Sequence, residues 1–493
     1  MALIAAVIGL SSCLEKLPGD AIPEKEGMKT FSDAEQTLTG IYSAYMSSGL
    51  YSGYLTLLPD IQTDLVYAVQ GNTNTFGEHW LWEYKPTNAE VEAVYSSLYR
   101  VIGRCNFFLD QVDGLRSSMT DDENIQIIDY YTGEVHCARA LAYSELIKCF
   151  CKSYDPDTAS SELGVVLDST YFGPKPLSRA SLKESYEFVL EDLETAERML
   201  DEENDNSNGV YFTKAAAHAI HARVALYMQD WEDAIRHSSE LIDRTDVFAL
   251  ATTEAYSGNY SYLDYLWTND ASYEIIWKIG FTTTSYGYPL GQVFLNYNTD
   301  FVYFYPDYVP AQWVIDLYDP ADMRYDAYFS TQQTGYPHQL TCPLLIKYFG
   351  NDGLIGNMVY HVNMPKPLRL AEQYLIRAEA YCNLDTPNYS AASADLTALR
   401  QTRFSTGGNI TVTASNWLET ISDERVRELY MEGFRLHDLK RWGKGFERTP
   451  QASTQSEGSS LKIEPGNPRF VWPIPKNDLE AEGSQIQPNE SNR

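Results

Sequence analysis

Acidic side chains in pairs, histidines at helical spacing and aromatic rings beside amides are the residues here that could do chemistry. Glycoside cleavage needs two carboxylates facing each other across a cleft. With 68 Asp and Glu in 493 residues, such pairs are unavoidable, and spacing cannot rank them. Asp319, Asp322 and Asp326 cluster, and their oxygens suit a hard cation such as calcium. That segment lacks the glycine and closing glutamate of an EF-hand, so a solvated turn beside Arg324 is expected. His218 and His221 stand three apart, share one helix face and offer two metal ligands. No third ligand is visible beside them, so a packing or surface role is expected and no metal is assigned. No nucleophile elbow, phosphate-binding loop or dinucleotide fingerprint is found. No catalytic residue or cofactor is therefore assigned, and the chain is not expected to be an enzyme.

Recognition chemistry is better represented, with 37 Tyr and 9 Trp. A tyrosine offers an apolar face and a polar tip. Sugar rings, with apolar C–H faces and hydroxyl rims, suit such platforms when amides and carboxylates stand nearby, and peptides use them too. Trp80, Trp82 and Tyr84 alternate, which reads as an extended segment with three rings on one side. Asn88, the upstream Asp64 and the loop Gln70-Gly71-Asn72-Thr73-Asn74-Thr75 flank them. A second cluster holds Tyr286, Tyr288, Tyr297, Tyr303 and Tyr305. Ligand binding is expected at both, with core packing the competing role for any single ring.

The net charge of −31 opposes binding to nucleic acid or anionic lipid headgroups and suits neutral or cationic ligands. It also serves solubility. Of the seven cysteines, none forms a C-x-x-C pair, and the six after Cys13 read as small buried apolar residues. Residues 1–13 differ. The apolar run Ala2–Leu10 is too short to span a bilayer and ends in Leu10-Ser11-Ser12-Cys13. This resembles a bacterial lipobox, so Cys13 is expected to carry lipid and residues 14–30 to form a tether. No Lys or Arg precedes the run, so the start is expected to be truncated or mis-assigned.

Helical periodicity dominates the rest. Phe31-Ser32-Asp33-Ala34 opens a helix with Ser32 or Asp33 as cap. Further helices are predicted over about 89–112, 123–151 and 181–200. The clearest unit is 213–244. Ala215, Ala219, Ala222 and Leu226 share a face, and Asp230 caps a second helix whose Trp231, Ala234, Ile235, Ser238 and Leu241 face inward. Small residues opposite large ones allow close antiparallel packing, and the turn resembles that of a tetratricopeptide (TPR) hairpin. A similar pattern spans 368–403. Between these hairpins the helical period fails and aromatics, Gly, Pro and Asn crowd together. The expected architecture is mostly α: a helical region 31–247 with a binding loop, a loop-rich, aromatic-rich lobe 248–367, and a C-terminal helical region with an extended tail, 368–493.

Three segments carry a resemblance. They are Leu370-Ala-Glu-Gln-Tyr-Leu-Ile-Arg-Ala-Glu-Ala-Tyr381, Glu424-Arg-Val-Arg-Glu-Leu-Tyr-Met-Glu-Gly-Phe-Arg-Leu-His-Asp-Leu-Lys-Arg-Trp-Gly443, and Phe470-Val-Trp-Pro-Ile-Pro475. In that order they resemble the SusD/RagB family, with Asp322-Met323-Arg324 and the lipobox as weaker support. The resemblance implies TPR-like hairpins carrying a variable lobe. It implies a lipoprotein on the outer face of a Gram-negative outer membrane. There it would pass a glycan, or in RagB-like members a peptide, to a TonB-dependent, SusC-like transporter. A secreted glycan-cleaving enzyme or a TPR scaffold without a small-molecule site are the other function classes. The family commonly ends in a Gln-Asn-Pro-like motif, whereas this chain reads Gln485-Ile486-Gln487-Pro488-Asn489, which puts the packing of the tail in question. Within the second segment Glu432–Arg435 and Asp438–Arg441, each three apart, are expected to pair along a helix. Gly433 is expected inside that helix, at a site of close packing.

Overall fold

A computed structural model describes residues 27–258, 260–297, 302–336, 340–448, 451 and 461–493. Cys13 and most of the expected tether lie outside the described residues. Ten helices carry the scaffold: α1 Phe31–Tyr45, α2 Ala89–Ser118, α3 Asp122–Phe150, α4 Leu182–Met199, α5 Lys214–Met228, α6 Trp231–Ile242, α7 Leu370–Asn383, α8 Tyr389–Arg403, α9 Trp417–Leu429 and α10 Arg435–Arg441. No described helix is long and apolar enough to cross a membrane.

Local chemistry sets where these helices begin. Asn88 accepts from the Val91 amide at the head of α2, and Asp121 from those of Glu123 and Asn124 at the head of α3. Ser181 and Glu184 form a capping box on α4. On α1 the cap is Thr30, one position before the helix, and Asp33 closes the box from inside, so neither Ser32 nor Asp33 is the cap itself. Gln229, at φ 62°, ends α5, and Asp230 caps α6 directly after it.

Each scaffold helix from α2 to α7 packs against the next. Ala222, Ala225 and Leu226 of α5, Ala234 of α6, and Ile376 and Ala380 of α7 form one apolar group. The small side chains bring three helices close, and the contacts made at that distance hold them. The mostly-α, TPR-like scaffold read from the sequence is thus the one observed. Because α6 packs on α7, the chain between them leaves the array and returns to the same place. That excursion holds short helices and most of the strands. All sheets among the described residues are two-stranded, and the longest pairs Phe329–Gln333 with Thr341–Leu345.

Buried charge ties the excursion to the last helices. Arg324 pairs with Asp322 at 2.7 Å, Glu424 at 2.8 Å and Glu428 at 3.1 Å. Arg403 joins Glu428 to Glu274, and Arg369 joins Glu274, Glu428 and Glu432. Burial opposes their ionisation, but the surrounding guanidinium groups hold Glu428 well below the usual carboxylate range and Glu424 down to about 2. Asp322 is therefore not in a solvated turn: it is 2% exposed and paired.

The second family-like segment is not one continuous helix. Residues 430–434 turn between α9 and α10, with Gly433 at φ 86°. A Cβ there would lie 2.2 Å from the Leu55 carbonyl oxygen, so glycine is required for both backbone angle and close approach. The turn separates Glu432 from Arg435. Glu432 bonds Arg369 and Lys347, and Arg435 bonds Asp64. Asp438 and Arg441 do pair within α10, at 2.9 Å.

The tail is packed despite its departure from the family's motif. Asn489 donates to the carbonyls of Phe150 and Trp472 and accepts from Arg179. Asn492 bonds both the amide and the carbonyl of Ile474. All six described cysteines are buried and unpaired.

Candidate functional site

One strand pair brings the two expected aromatic regions together. Val66–Ala68 runs antiparallel to Tyr308–Pro310, with Tyr67 opposite Val309. The loop Gln70–Thr75 therefore leaves the sheet beside the segment that carries Tyr303 and Tyr305. Asp307 fixes that neighbourhood: its carboxylate accepts from the Thr73 amide at 2.8 Å and hydroxyl at 2.7 Å. The Val69 amide donates to its carbonyl, and the Tyr308 hydroxyl holds the far end of the loop at the Thr75 carbonyl. Gln70, Thr73 and Asn74 stay exposed on this frame.

Gly287, between Tyr286 and Tyr288, lies against Ser52, and Tyr288 reaches the same region through Tyr54 and Phe76. A Cβ at 287 would lie 2.5 Å from Ser52 Cβ, so only glycine lets this loop lie so close against the buried Ser52. Tyr286 is 45% exposed and Tyr303 42%. The half-buried Tyr288 ring lies 6.3 Å from that of Tyr54, which meets Phe76 edge-on at 5.7 Å. Burial, then the neighbouring charge of Glu90, raises the Tyr54 pKa, and burial raises that of Tyr288, so both hydroxyls remain donors at neutral pH. Tyr305 meets Tyr336 edge-on at 5.4 Å. Tyr297 packs at a tilt on Phe304 at 4.0 Å and stacks on His361 at 5.5 Å. The region thus offers exposed and half-exposed rings next to an amide- and hydroxyl-rich loop.

The upstream group departs from its expected role. Trp80, Trp82 and Tyr84 are 3%, 2% and 1% exposed. They do not form an extended platform, because Trp80 ends the short helix Gly77–Trp80 and Trp82 has φ 59°. The Arg448 guanidinium covers the Trp80 ring at 4.1 Å. Trp82 packs against Phe446 and Phe470 and donates to the Gln62 carbonyl. Tyr84 stacks on His79 at 4.8 Å and donates to the Arg469 carbonyl. Asn88 is the α2 cap and a partner of His79, and Asp64 is the partner of Arg435. These five residues seal the joint between the N-terminal and C-terminal segments, and their polar groups face protein.

Sequence reading missed two other aromatic surfaces. A groove of about 740 Å3 is lined by Tyr130, Tyr131, Tyr211, Glu35, Asn204 and Asn206. Tyr130 and Tyr131 lie on α3 and Tyr211 follows α4, so helix packing and not local spacing brings them together. Tyr256 packs against Tyr262 at 4.8 Å and Tyr265 at 4.3 Å around a small exposed hairpin. The histidines also have company that sequence does not show: α4 and α6 bring Glu197 and His237 against His218 and His221.

Residues 20–226 match a family described as starch-binding associating with outer membrane, and residues 322–490 match the SusD family. A SusD-like protein of Formosa agariphila is 23% identical, the match covering 90% of this chain and 88% of the relative. Among solved structures, a SusD superfamily protein from Bacteroides thetaiotaomicron has a TM-score of 0.78 at 22% identity, covering 93% of this chain and 99% of its own. A SusD-like carbohydrate binding protein from Bacteroides vulgatus has a TM-score of 0.73 at 21% identity, covering 93% and 97%. With the three C-terminal segments in order, a family match at each end and this fold along nearly its whole length, the chain belongs to the SusD/RagB family.

Proposed function

We propose that the protein is a non-catalytic, lipid-anchored receptor on the outer face of the outer membrane that captures a glycan and hands it to a TonB-dependent, SusC-like transporter. The observation that carries the binding role is the set of rings, Tyr288 on Tyr54 and Phe76 and Tyr305 on Tyr336, next to the loop 70–75 framed by Asp307, with Tyr286 and Tyr303 exposed on the same segments of chain. Stacked tyrosines supply apolar contact to a sugar ring, and the adjoining Asn and Thr groups supply hydrogen bonds to its hydroxyls. The family names and the carbohydrate-binding description of the Bacteroides vulgatus relative support a glycan as ligand. Anchoring at Cys13 and the transporter partner rest on the lipobox-like run and on the family. An anchor raises the effective concentration of a membrane-embedded partner, which favours a standing complex.

Calorimetry against a glycan panel, with a peptide library in parallel, tests the ligand class. Saturable glycan binding that weakens in Tyr286→Ala and Tyr288→Ala supports the reading. Binding only to peptides makes it a peptide receptor, and release of reducing ends from the bound glycan makes it an enzyme. Loss of binding in Tyr130→Ala instead moves the site to the groove on α3. A mild-detergent pull-down from native outer membranes should recover a transporter in stoichiometric amount. Cys13→Ala should move the protein to the soluble fraction.

A further inference from the structure

We propose that Glu197, His218 and His237 form a binding site for a transition-metal dication of the zinc class, pinning α4, α5 and α6 together. His218 Nδ1 lies 2.8 Å from His237 Nδ1. Glu197 Oε1 lies 3.5 Å from each of those nitrogens. Three ligand atoms from three helices therefore meet at one point. Tetrahedral zinc with bonds near 2.0–2.1 Å separates its ligand atoms by roughly 3.3 Å. The two carboxylate–imidazole spacings already match. The two nitrogens, now close enough to share a proton, need to open by only about half an ångström as the ion takes that proton's place.

The surroundings are those of a supported site. His221 Nδ1 lies 2.8 Å from Glu197 Oε1, and His221 Nε2 lies 3.0 Å from Asp233 Oδ2, so a carboxylate–imidazole chain holds the ligating oxygen of Glu197 in place. The His221 ring also stacks on His237 at 3.6 Å, which fixes the angle of the inner ligand. With Nδ1 on the metal, the His237 proton belongs on Nε2. That atom has no hydrogen-bond partner, and Asp233 Oδ2, which His221 Nε2 holds at 3.0 Å, is 3.8 Å away. The His237 side chain is 1% exposed, whereas those of His218 and Glu197 are 14% and 15% exposed. The ion therefore enters along one open edge, where water completes its coordination. Three of the chain's eight histidines lie in this one patch.

The test is Zn2+ titrated calorimetrically into the full chain after chelator treatment, with Co2+ titrated in parallel by visible absorption. Expected are one saturable Zn2+ per chain, the intense bands of tetrahedral Co2+, and a rise in Tm with added Zn2+. His218→Gln and Glu197→Gln should each weaken Zn2+ binding by about tenfold or more and abolish the Tm rise. These two lie at the open edge, so they test the site without emptying the buried position of His237. His136→Gln, at a separate histidine paired with Asp192, should bind as wild type does. No saturable uptake by the wild type, equal uptake by His218→Gln and Glu197→Gln, or only the weak absorption of octahedral Co2+ would each overturn the proposal.

Discussion

Arg324 Nη1 lies 2.8 Å from Glu424 Oε1, and neither side chain has any exposure. Arg324 belongs to the excursion between α6 and α7, and Glu424 stands on α9, 100 positions later. Glu424 also receives Arg400 and Arg427. Removing it strands buried guanidinium charge, so Glu424→Ala should destabilise the fold by about 3–5 kcal/mol. Urea denaturation should show a lower midpoint at an unchanged slope. A wild-type midpoint would mean that the network contributes nothing.

Gly433→Ala should also destabilise, by about 1–2 kcal/mol for the left-handed backbone alone, with more from the approach to the Leu55 carbonyl. Gly407, also at positive φ but with nothing within 4 Å of its would-be Cβ, is the control for the backbone term. Equal losses at 407 and 433 would show that the close approach is unimportant.

The rings should separate into two classes. Tyr286→Ala and Tyr288→Ala should fold normally and lose on the order of 1–2 kcal/mol of ligand affinity each. Gly287→Val should lose affinity as well, because it lifts both rings away from Ser52. Trp82→Ala should instead cost about 3–5 kcal/mol of stability, as its ring is sealed against Phe446 and Phe470. Thermal melts and calorimetry on the same samples decide it. A stable Trp82→Ala protein that cannot bind would put the site at the N-terminal joint.

A buried acid should make stability depend on pH. Burial drives the Glu134 pKa from 4.5 up to about 8, against the hydrogen bond it shares with Tyr42. The folded state then keeps a proton that the unfolded chain releases near 4.5. Its stabilising effect is complete below that value and is lost as pH rises through about 8. Tm against pH should be flatter over this window in Glu134→Gln than in wild type. Parallel curves would show that Glu134 is ionised in the native protein.

What sequence could reveal followed how local the determining forces were. The α5–α6 hairpin was legible because its Ala face, two-residue turn and Asp230 cap all act within a few positions. Tyr286 and Tyr303 stand exposed, as a tyrosine in a Gly- and Asn-rich stretch can, but exposure alone does not make them ligand contacts. The fate of Trp80, Trp82 and Tyr84 was not legible, since it is decided by chain that arrives much later. Arg469 donates to the Trp82 carbonyl across 387 positions. Alternation suggested a strand, but Phe76 and Trp82 at positive φ fold that stretch inward. The break at Gly433 was hidden for the same reason: the Leu55 backbone that demands it is distant in sequence. Glu197 and His237 reach His218 only through helix packing, so their convergence left no local trace.

Asn489 gives the fold a direction in time. Its amide donates to the Phe150 carbonyl across 339 positions, joining the Arg179 guanidinium there, and to the Trp472 carbonyl. A chain emerging amino end first can form α2 and α3 early but cannot close the joint at their base until residues 472–489 follow. Contacts of such long sequence separation form slowly. The joint is thus a late lock, set by the pairing of α3 with the far end of the chain.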